Sequence, residues 1–202
     1  MIKLGLTGSI GMGKSTTAKL FADAGIPVND ADAVVHDLYR GEAVPLVERA
    51  FPGSTSGGEI DRTVLARQLA ERPERFKELE AIVHPLVREK ERQFVERMTA
   101  AGSDMVLLDI PLLFETRAEQ RVDVVIVVSC YPQLQRQRVL ARPGMTEDKF
   151  NMILARQTPD AEKRARADFV IETDHGLDAA RIRVSDIIGM IRNGKRSERI
   201  NA

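Results

Sequence analysis

Eight residues near the amino terminus constrain this chain more than any others. Gly8-Ser9-Ile10-Gly11-Met12-Gly13-Lys14-Ser15 fits the spacing G-x-x-x-x-G-K-[ST]. The apolar run Ile2–Thr7 precedes it, and Lys14–Ala24 follows with Ala18, Leu20 and Phe21 at helical spacing. Glycines let a strand curl into a helix, because they take positive φ without steric cost. The curled amides form a nest, and the helix amino terminus adds its positive dipole end. The segment therefore predicts an anion cradle after a buried strand. Lys14 can reach β- and γ-phosphate oxygens, and the Ser15 hydroxyl can ligate Mg²⁺. Gly11 and Gly13 also begin a dinucleotide spacing, but Thr16 stands where that fold needs a third small residue. The dinucleotide reading is rejected.

Beyond the cradle, apolar runs alternate with helical patterns, which predicts an α/β fold. Pro27–Asn29 reads as a brief second strand. Met105–Ile110 and Val122–Ser129 read as buried strands, and Phe169–Glu172 as a fifth. Leu177–Asn193 reads as a closing amphipathic helix with Ile182, Ile187, Ile188 and Ile191 facing inward. From Val34 to Ser103 no strand is legible. There Pro52–Gly58 reads as a loop, Pro73 and Pro85 as helix starts and Gly102 as a helix stop. A second helical stretch, about Leu140 to Ala165, carries Arg142, Arg156, Lys163 and Arg164, with Arg166 just beyond. The basic, polar tail after Asn193 is expected to fray.

Composition removes several function classes. Lys plus Arg number 30 and Asp plus Glu number 30, which argues against a generally basic nucleic-acid binder. No apolar run approaches the ~18 residues of a membrane span. The single cysteine, Cys130, excludes a disulfide framework and a Cys-rich zinc site, and reads as a small buried residue at a strand end. The chain opens directly into a strand with no signal-peptide pattern, so a cytoplasmic location is expected. No N-K-x-D segment reads guanine, and no L-S-G-G-Q-like signature occurs. A small-molecule kinase fits the size, with the helical insertion as substrate-holding domain and the Arg-rich stretch as lid. From a different class, a nucleotide-binding switch or assembly protein stays open.

Phosphoryl transfer also needs a group to orient and deprotonate the acceptor. Asp30-Ala31-Asp32 follows the second strand, where ligands meet open α/β sheets. One carboxylate can take the hydroxyl proton or hold metal-bound water, and either can cap the following helix. Asp109, ending an apolar strand, matches an acid near Mg²⁺ or a surface strand end. Arg142, before Pro143-Gly144, can swing onto the transferring phosphoryl, with Arg136 and Arg138 as competitors. His84, beside Pro85, reads as a phosphate or base contact or as a helix-start cap.

The residues resemble those of the dephospho-CoA kinase family. The likeness rests on Leu6–Thr16, on Asp30-Ala31-Asp32 and on Leu79-Glu80-Ala81-Ile82-Val83-His84-Pro85. Asp109-Ile110-Pro111-Leu112-Leu113-Phe114-Glu115 and Ala167-Asp168-Phe169-Val170-Ile171 complete it. Ser9 and Met12 depart from the family's usual residues without removing a needed side chain, because backbone amides bind the phosphate. The resemblance implies a P-loop kinase-type, three-layer αβα fold with a five-stranded parallel sheet. The nucleotide-binding core would be 1–33, 104–138 and 167–202, the helical CoA-binding insertion 34–103 and the lid 139–166. It implies ATP-dependent phosphorylation of the ribose 3′-hydroxyl of dephospho-CoA, the alternative being another P-loop kinase acting on a nucleoside, nucleotide or sugar. Asp32, Lys14 and Arg142 would be catalytic. Gly8, Gly11, Met12, Gly13, Lys14, Ser15 and Thr16 would bind nucleotide, and Ser15 and Asp32, with Asp109, would serve Mg²⁺. The expected partners are ATP and dephospho-CoA, with no nucleic acid and no membrane, in a monomer or weak homo-oligomer.

Overall fold

The apolar runs become strands in a computed structural model that describes residues 1–198. Along the chain come β1 (Ile2–Thr7), α1 (Lys14–Asp23), β2 (Val28–Asp30), α2 (Ala31–Leu38), α3 (Val44–Ala50), β3 (Thr55–Ser56), β4 (Glu59–Ile60), α4 (Arg62–Glu71) and α5 (Phe76–Ala100). They are followed by β5 (Met105–Asp109), β6 (Val124–Ser129), α6 (Pro132–Leu140), α7 (Glu147–Leu154), α8 (Asp160–Arg166), β7 (Phe169–Glu172) and α9 (Leu177–Arg192). The chain divides into two units: Met1–Val28 with everything from Ala101 onward, and Asn29–Ala100.

One sheet has the strand order β2-β5-β1-β6-β7. β1 pairs in parallel with β5 and β6, and β6 with β7. Leu4 therefore stands opposite both Leu107 and Val124. Side chains alternate between the two faces of such strands. Leu4, Leu6, Leu107, Ile126, Phe21 of α1 and Ile187 of α9 share one core cluster. Val106, Leu108, Val125 and Val127, on the opposite face, are buried too, and α8 packs against β6. Both faces are covered, so the strands read as continuous apolar runs, as parallel sheets require. This is the expected three-layer αβα arrangement.

The Asn29–Ala100 unit has its own core: Leu38, Val47, Phe51, Ile60, Leu65 and Leu69, with Leu79, Ile82 and Leu86 of α5 against them. Arg75 stacks on the Phe51 ring at 4.3 Å and donates to the Ala50 carbonyl at 2.6 Å. Asp61 caps α4 by accepting from the Thr63 and Val64 amides at 2.9 and 3.0 Å.

Five expectations are corrected. The stretch read as strandless contains the antiparallel hairpin β3–β4, with Ser56 paired to Glu59. Its turn is Gly57-Gly58, at φ 60 and 85, as two-residue hairpin loops require. Pro85 does not start a helix but lies inside α5. The amide it lacks would have served the carbonyl of exposed Ala81, which water can reach. His84, in the same mid-helix position and exposed, is no cap. Ile182 is 63% exposed, because it lies two residues from Ala180 and Val184, which face the core. The tail does not fray at once: the Glu198 amide donates to the Asp168 carbonyl at 2.8 Å, and Arg183 pairs with Glu198. Residues 199–202 of that tail lie outside the described residues.

Phe51 is fully buried and carries the Arg75 contact. Phe51→Ala should cost about 3–5 kcal/mol, read as a lower urea midpoint of unfolding. A loss below about 1 kcal/mol would show that this cluster does not hold the unit together.

Candidate phosphate-binding site

β1 delivers the chain into the sheet centre, so the loop after it emerges between the carboxyl ends of β5 and β6. Gly11 and Gly13 have φ of 81 and 95. Gly8 needs glycine for space: a Cβ there would meet the Val128 carbonyl oxygen at 2.7 Å. A Cβ on Gly11 would meet Val139 at 2.5 Å. Gly13 is the N-cap of α1, and no side chain caps that helix. The first-turn amides are thus left for an anion.

The loop is gripped from outside. The Thr173 hydroxyl donates to the Met12 carbonyl at 2.7 Å, and the Cys130 amide approaches Met12 Sδ at 3.1 Å. Gln135 Nε2 donates to the Ile10 carbonyl at 2.7 Å, and the Ile10 amide donates to Gln157 Oε1 at 3.1 Å. None of Gln135, Gln157 and Thr173 stood out in the sequence. A polar residue that holds a distant backbone group has no local pattern.

Lys14 Nζ stands 2.6 Å from Asp109 Oδ1, with Asp109 3% exposed and Lys14 13%. The cation expected on phosphate and the acid expected near metal are therefore direct partners. Ser15 and Thr16 are exposed on the first turn of α1, and Met12 is buried. Cys130 is buried as expected, which pushes its thiol pKa up.

The three arginines part company. Arg136 pairs with Glu147 at 2.6 Å, and Arg138 donates twice to Thr173, each at 2.8 Å. Arg142, just past α6, is exposed and has no ion-pair partner among the described residues. It lines a cavity of about 380 Å³ with Gly11, Gly13, Thr16, Arg138 and Leu177. The stretch read as a lid has buried anchors at Val139, Phe150 and Lys163.

Lys163 is fully buried, with Nζ 3.1 Å from Glu115 Oε1. The same oxygen accepts the Thr158 amide at 2.7 Å. Burial pushes the Glu115 pKa up, but the amides of Thr158 and Glu115 and the Lys163 ammonium together hold it below its usual value. A second acidic group, Glu172, Asp174 and His175, has metal-ligand spacing, but Arg164 already sits 2.8 Å from Glu172.

In the Asn29–Ala100 unit, Asp30 is a cap: its Oδ1 accepts the Asp32 and Ala33 amides at 2.9 and 3.1 Å. Asp32 itself is exposed in the first turn of α2, and its carboxylate makes no hydrogen bond or ion pair among the described residues. A cleft of about 420 Å³ in this unit is lined by Asp37, Glu42, Lys90, Gln93 and Arg97 among others.

Residues 2–179 match the sequence profile described as Dephospho-CoA kinase. The chain is similar to the dephospho-CoA kinase of Rhizobium etli, 64% identical over 95% of both chains. A solved Thermus thermophilus protein superposes with a TM-score of 0.82 at 37% identity, covering 94% of this chain and 97% of that one. The dephospho-CoA kinase from Campylobacter jejuni gives 0.72 at 25% identity, covering 95% and 98%.

Because the native Glu115 pKa is depressed, its stabilisation is present above the ordinary value of 4.5 and lost as pH falls through the native value. Glu115→Gln should be clearly less stable than the parent chain at neutral pH. That gap should shrink on acidification below pH 4.5. A gap independent of pH, measured by urea unfolding, would dismiss the Glu115 carboxylate as its source.

Proposed function

The chain belongs to the dephospho-CoA kinase family, and on that premise we propose how its residues phosphorylate the ribose 3′-hydroxyl of dephospho-CoA with ATP. The observation that carries the reading is the uncapped start of α1 behind Gly11 and Gly13, with Lys14 at its first position. The amides from Gly11 to Thr16 hold the β- and γ-phosphates, and Lys14 leaves Asp109 to share the added negative charge. The nucleoside of ATP occupies the 380 Å³ cavity beside Gly11 and Gly13. Arg142, which lines that cavity and has no ion-pair partner among the described residues, neutralises charge developing on the transferring phosphoryl.

Asp32 is the general base. It takes the 3′-hydroxyl proton as that oxygen attacks the γ-phosphorus, and the bond to the β,γ-bridging oxygen breaks to release ADP. Its exposed, unengaged carboxylate supports this role, whereas Asp30 is committed to the α2 cap. The cleft lined by Lys90 and Arg97 suits the diphosphate-bearing arm of dephospho-CoA. The Ser15 hydroxyl and the Asp109 and Asp32 carboxylates are hard oxygen donors, the chemistry that suits Mg²⁺. When bound, Mg²⁺ supplies charge neutralisation at the phosphates. In this reading 1–33, 104–138 and 167–202 form the core, 34–103 the acceptor domain and 139–166 the lid, in a cytoplasmic enzyme.

Lys14→Ala should fold normally and lose on the order of 10²–10³ in turnover, as removal of one charge contact to the transition state does. Near-normal coupled ADP release by the folded variant would take the loop out of the mechanism. Asp32→Asn should lower kcat far more than it weakens ATP binding, since it keeps the shape and loses the proton acceptor. ATP affinity that collapses while saturated turnover survives would make Asp32 a binding residue instead.

A further inference from the structure

One residue of the phosphate loop has the peptide units on either side of it held by glutamines that the mechanism above does not use. Ile10 donates its amide to Gln157 Oε1 at 3.1 Å and accepts Gln135 Nε2 on its carbonyl at 2.7 Å. Gln135 is 5% exposed and sits on α6 between Arg136 and Leu134, three residues before Arg138. Gln157 lies between α7 and α8, on the far side of Arg142 in sequence. The two therefore bracket the segment that carries Arg142. The next residue, Thr158, is pinned in turn by Glu115, which the buried Lys163 holds.

The chemistry of each contact is forced. A peptide N–H can only donate and a carbonyl can only accept, so Gln157 must present its oxygen and Gln135 its amide nitrogen. Ile10 immediately precedes the run Gly11–Ser15, and the carbonyl that Gln135 holds shares its peptide plane with the Gly11 amide, so holding it sets the direction in which that amide points. Gly11 cannot correct a misplaced Ile10, because the loop has little room there: even a Cβ on Gly11 would lie only 2.5 Å from Val139.

We infer that Gln157 and Gln135 are positioning residues for phosphoryl transfer, clamping the two peptide units that flank Ile10 so that the cradle and Arg142 keep one register. The inference rests on Gly8–Ser15 being the phosphate cradle. It assigns opposite hydrogen-bonding duties to two identical side chains, and that asymmetry can be tested.

The test compares four single variants, Gln157→Leu, Gln157→Glu, Gln135→Leu and Gln135→Glu, in steady-state assays with ATP and dephospho-CoA. Turnover is read at saturating ATP, so that added negative charge acting on ATP affinity does not enter. Thermal unfolding identifies any variant that is not folded. Gln157→Leu should lower kcat about tenfold, the order expected for one part-buried peptide group left unpaired, with KM for dephospho-CoA unchanged. Gln157→Glu keeps the acceptor and should restore kcat to within about threefold. Gln135→Glu loses the donor and sets a carboxylate against a carbonyl, so it should be at least as slow as Gln135→Leu. If the Leu variants fail to fold, the two isosteric Glu variants decide alone. Equal behaviour of the two Glu variants, in either direction, overturns the inference, because a packing role treats both isosteres alike. A rise confined to KM for dephospho-CoA overturns it as well. Inactivity of the parent chain toward dephospho-CoA, or full activity of Lys14→Ala, would defeat the functional reading itself. An active parent with undisturbed glutamine variants defeats only the clamp.

Discussion

The first turn of α1 has no side-chain cap among the described residues, and its N-cap is a glycine that has no side chain to offer. A helix start left this way favours an anion, both through its free N–H groups and through the dipole behind them. Several neighbours crowd or hold the loop. The Val128 carbonyl crowds Gly8, Val139 and Gln135 crowd Gly11, and Thr173 crowds Gly13 while binding the Met12 carbonyl. The end of β6, α6 and the residue after β7 thus mould the loop. The glycines are required by this crowding as much as by their positive φ.

Two buried ion pairs hold the surroundings of that loop, and they differ in kind from those at the surface. Exposed pairs such as Lys19–Asp23 contribute little, typically about 0–1 kcal/mol. Lys14–Asp109 and Lys163–Glu115 are largely withdrawn from water, where desolvation offsets much of the attraction. Such pairs matter for where they put the charges. Asp109, fixed at the end of a fully buried strand, keeps the Lys14 ammonium beside the loop. Glu115 ties α8 and the Thr158 amide to the turn after β5, and so steadies the residue next to Gln157.

The Asn29–Ala100 unit shows how far local patterns reach. Asp30 and Asp61 both precede helices and both turn out to be caps, each binding two amides of the first turn. For Asp30 the alternatives of cap and catalysis had equal standing in the sequence, because a carboxylate before a helix suits either. Geometry separated them: Asp30 Oδ1 is occupied, and the Asp32 carboxylate is not. The β3–β4 hairpin escaped notice because two-residue strands carry no period, and only Gly57-Gly58 marked the turn. Pro85 misled for a related reason. Proline is disfavoured inside helices in general, but Pro85 and Ala81 lie on the exposed face of α5, where water can reach the carbonyl it orphans.

The phosphate loop, the five strands of the sheet and the helical insertion were legible without coordinates. Each is written in neighbouring residues: a fixed glycine spacing, an unbroken apolar run, a 3.6-residue period. Lys14, Asp32 and Arg142 stood out in the same way, since their types and places follow from the chemistry of phosphate. The pairing of Asp109 with Lys14, 95 residues away, came only with the folded chain. So did the engagement of Arg136 and Arg138, with no ion-pair partner for Arg142 among the described residues, and the arrival of Gln135, Gln157 and Thr173 on the loop. Those contacts join elements far apart in sequence through single hydrogen bonds. A hydrogen bond depends on where two groups meet in space, and no spacing along the chain records that.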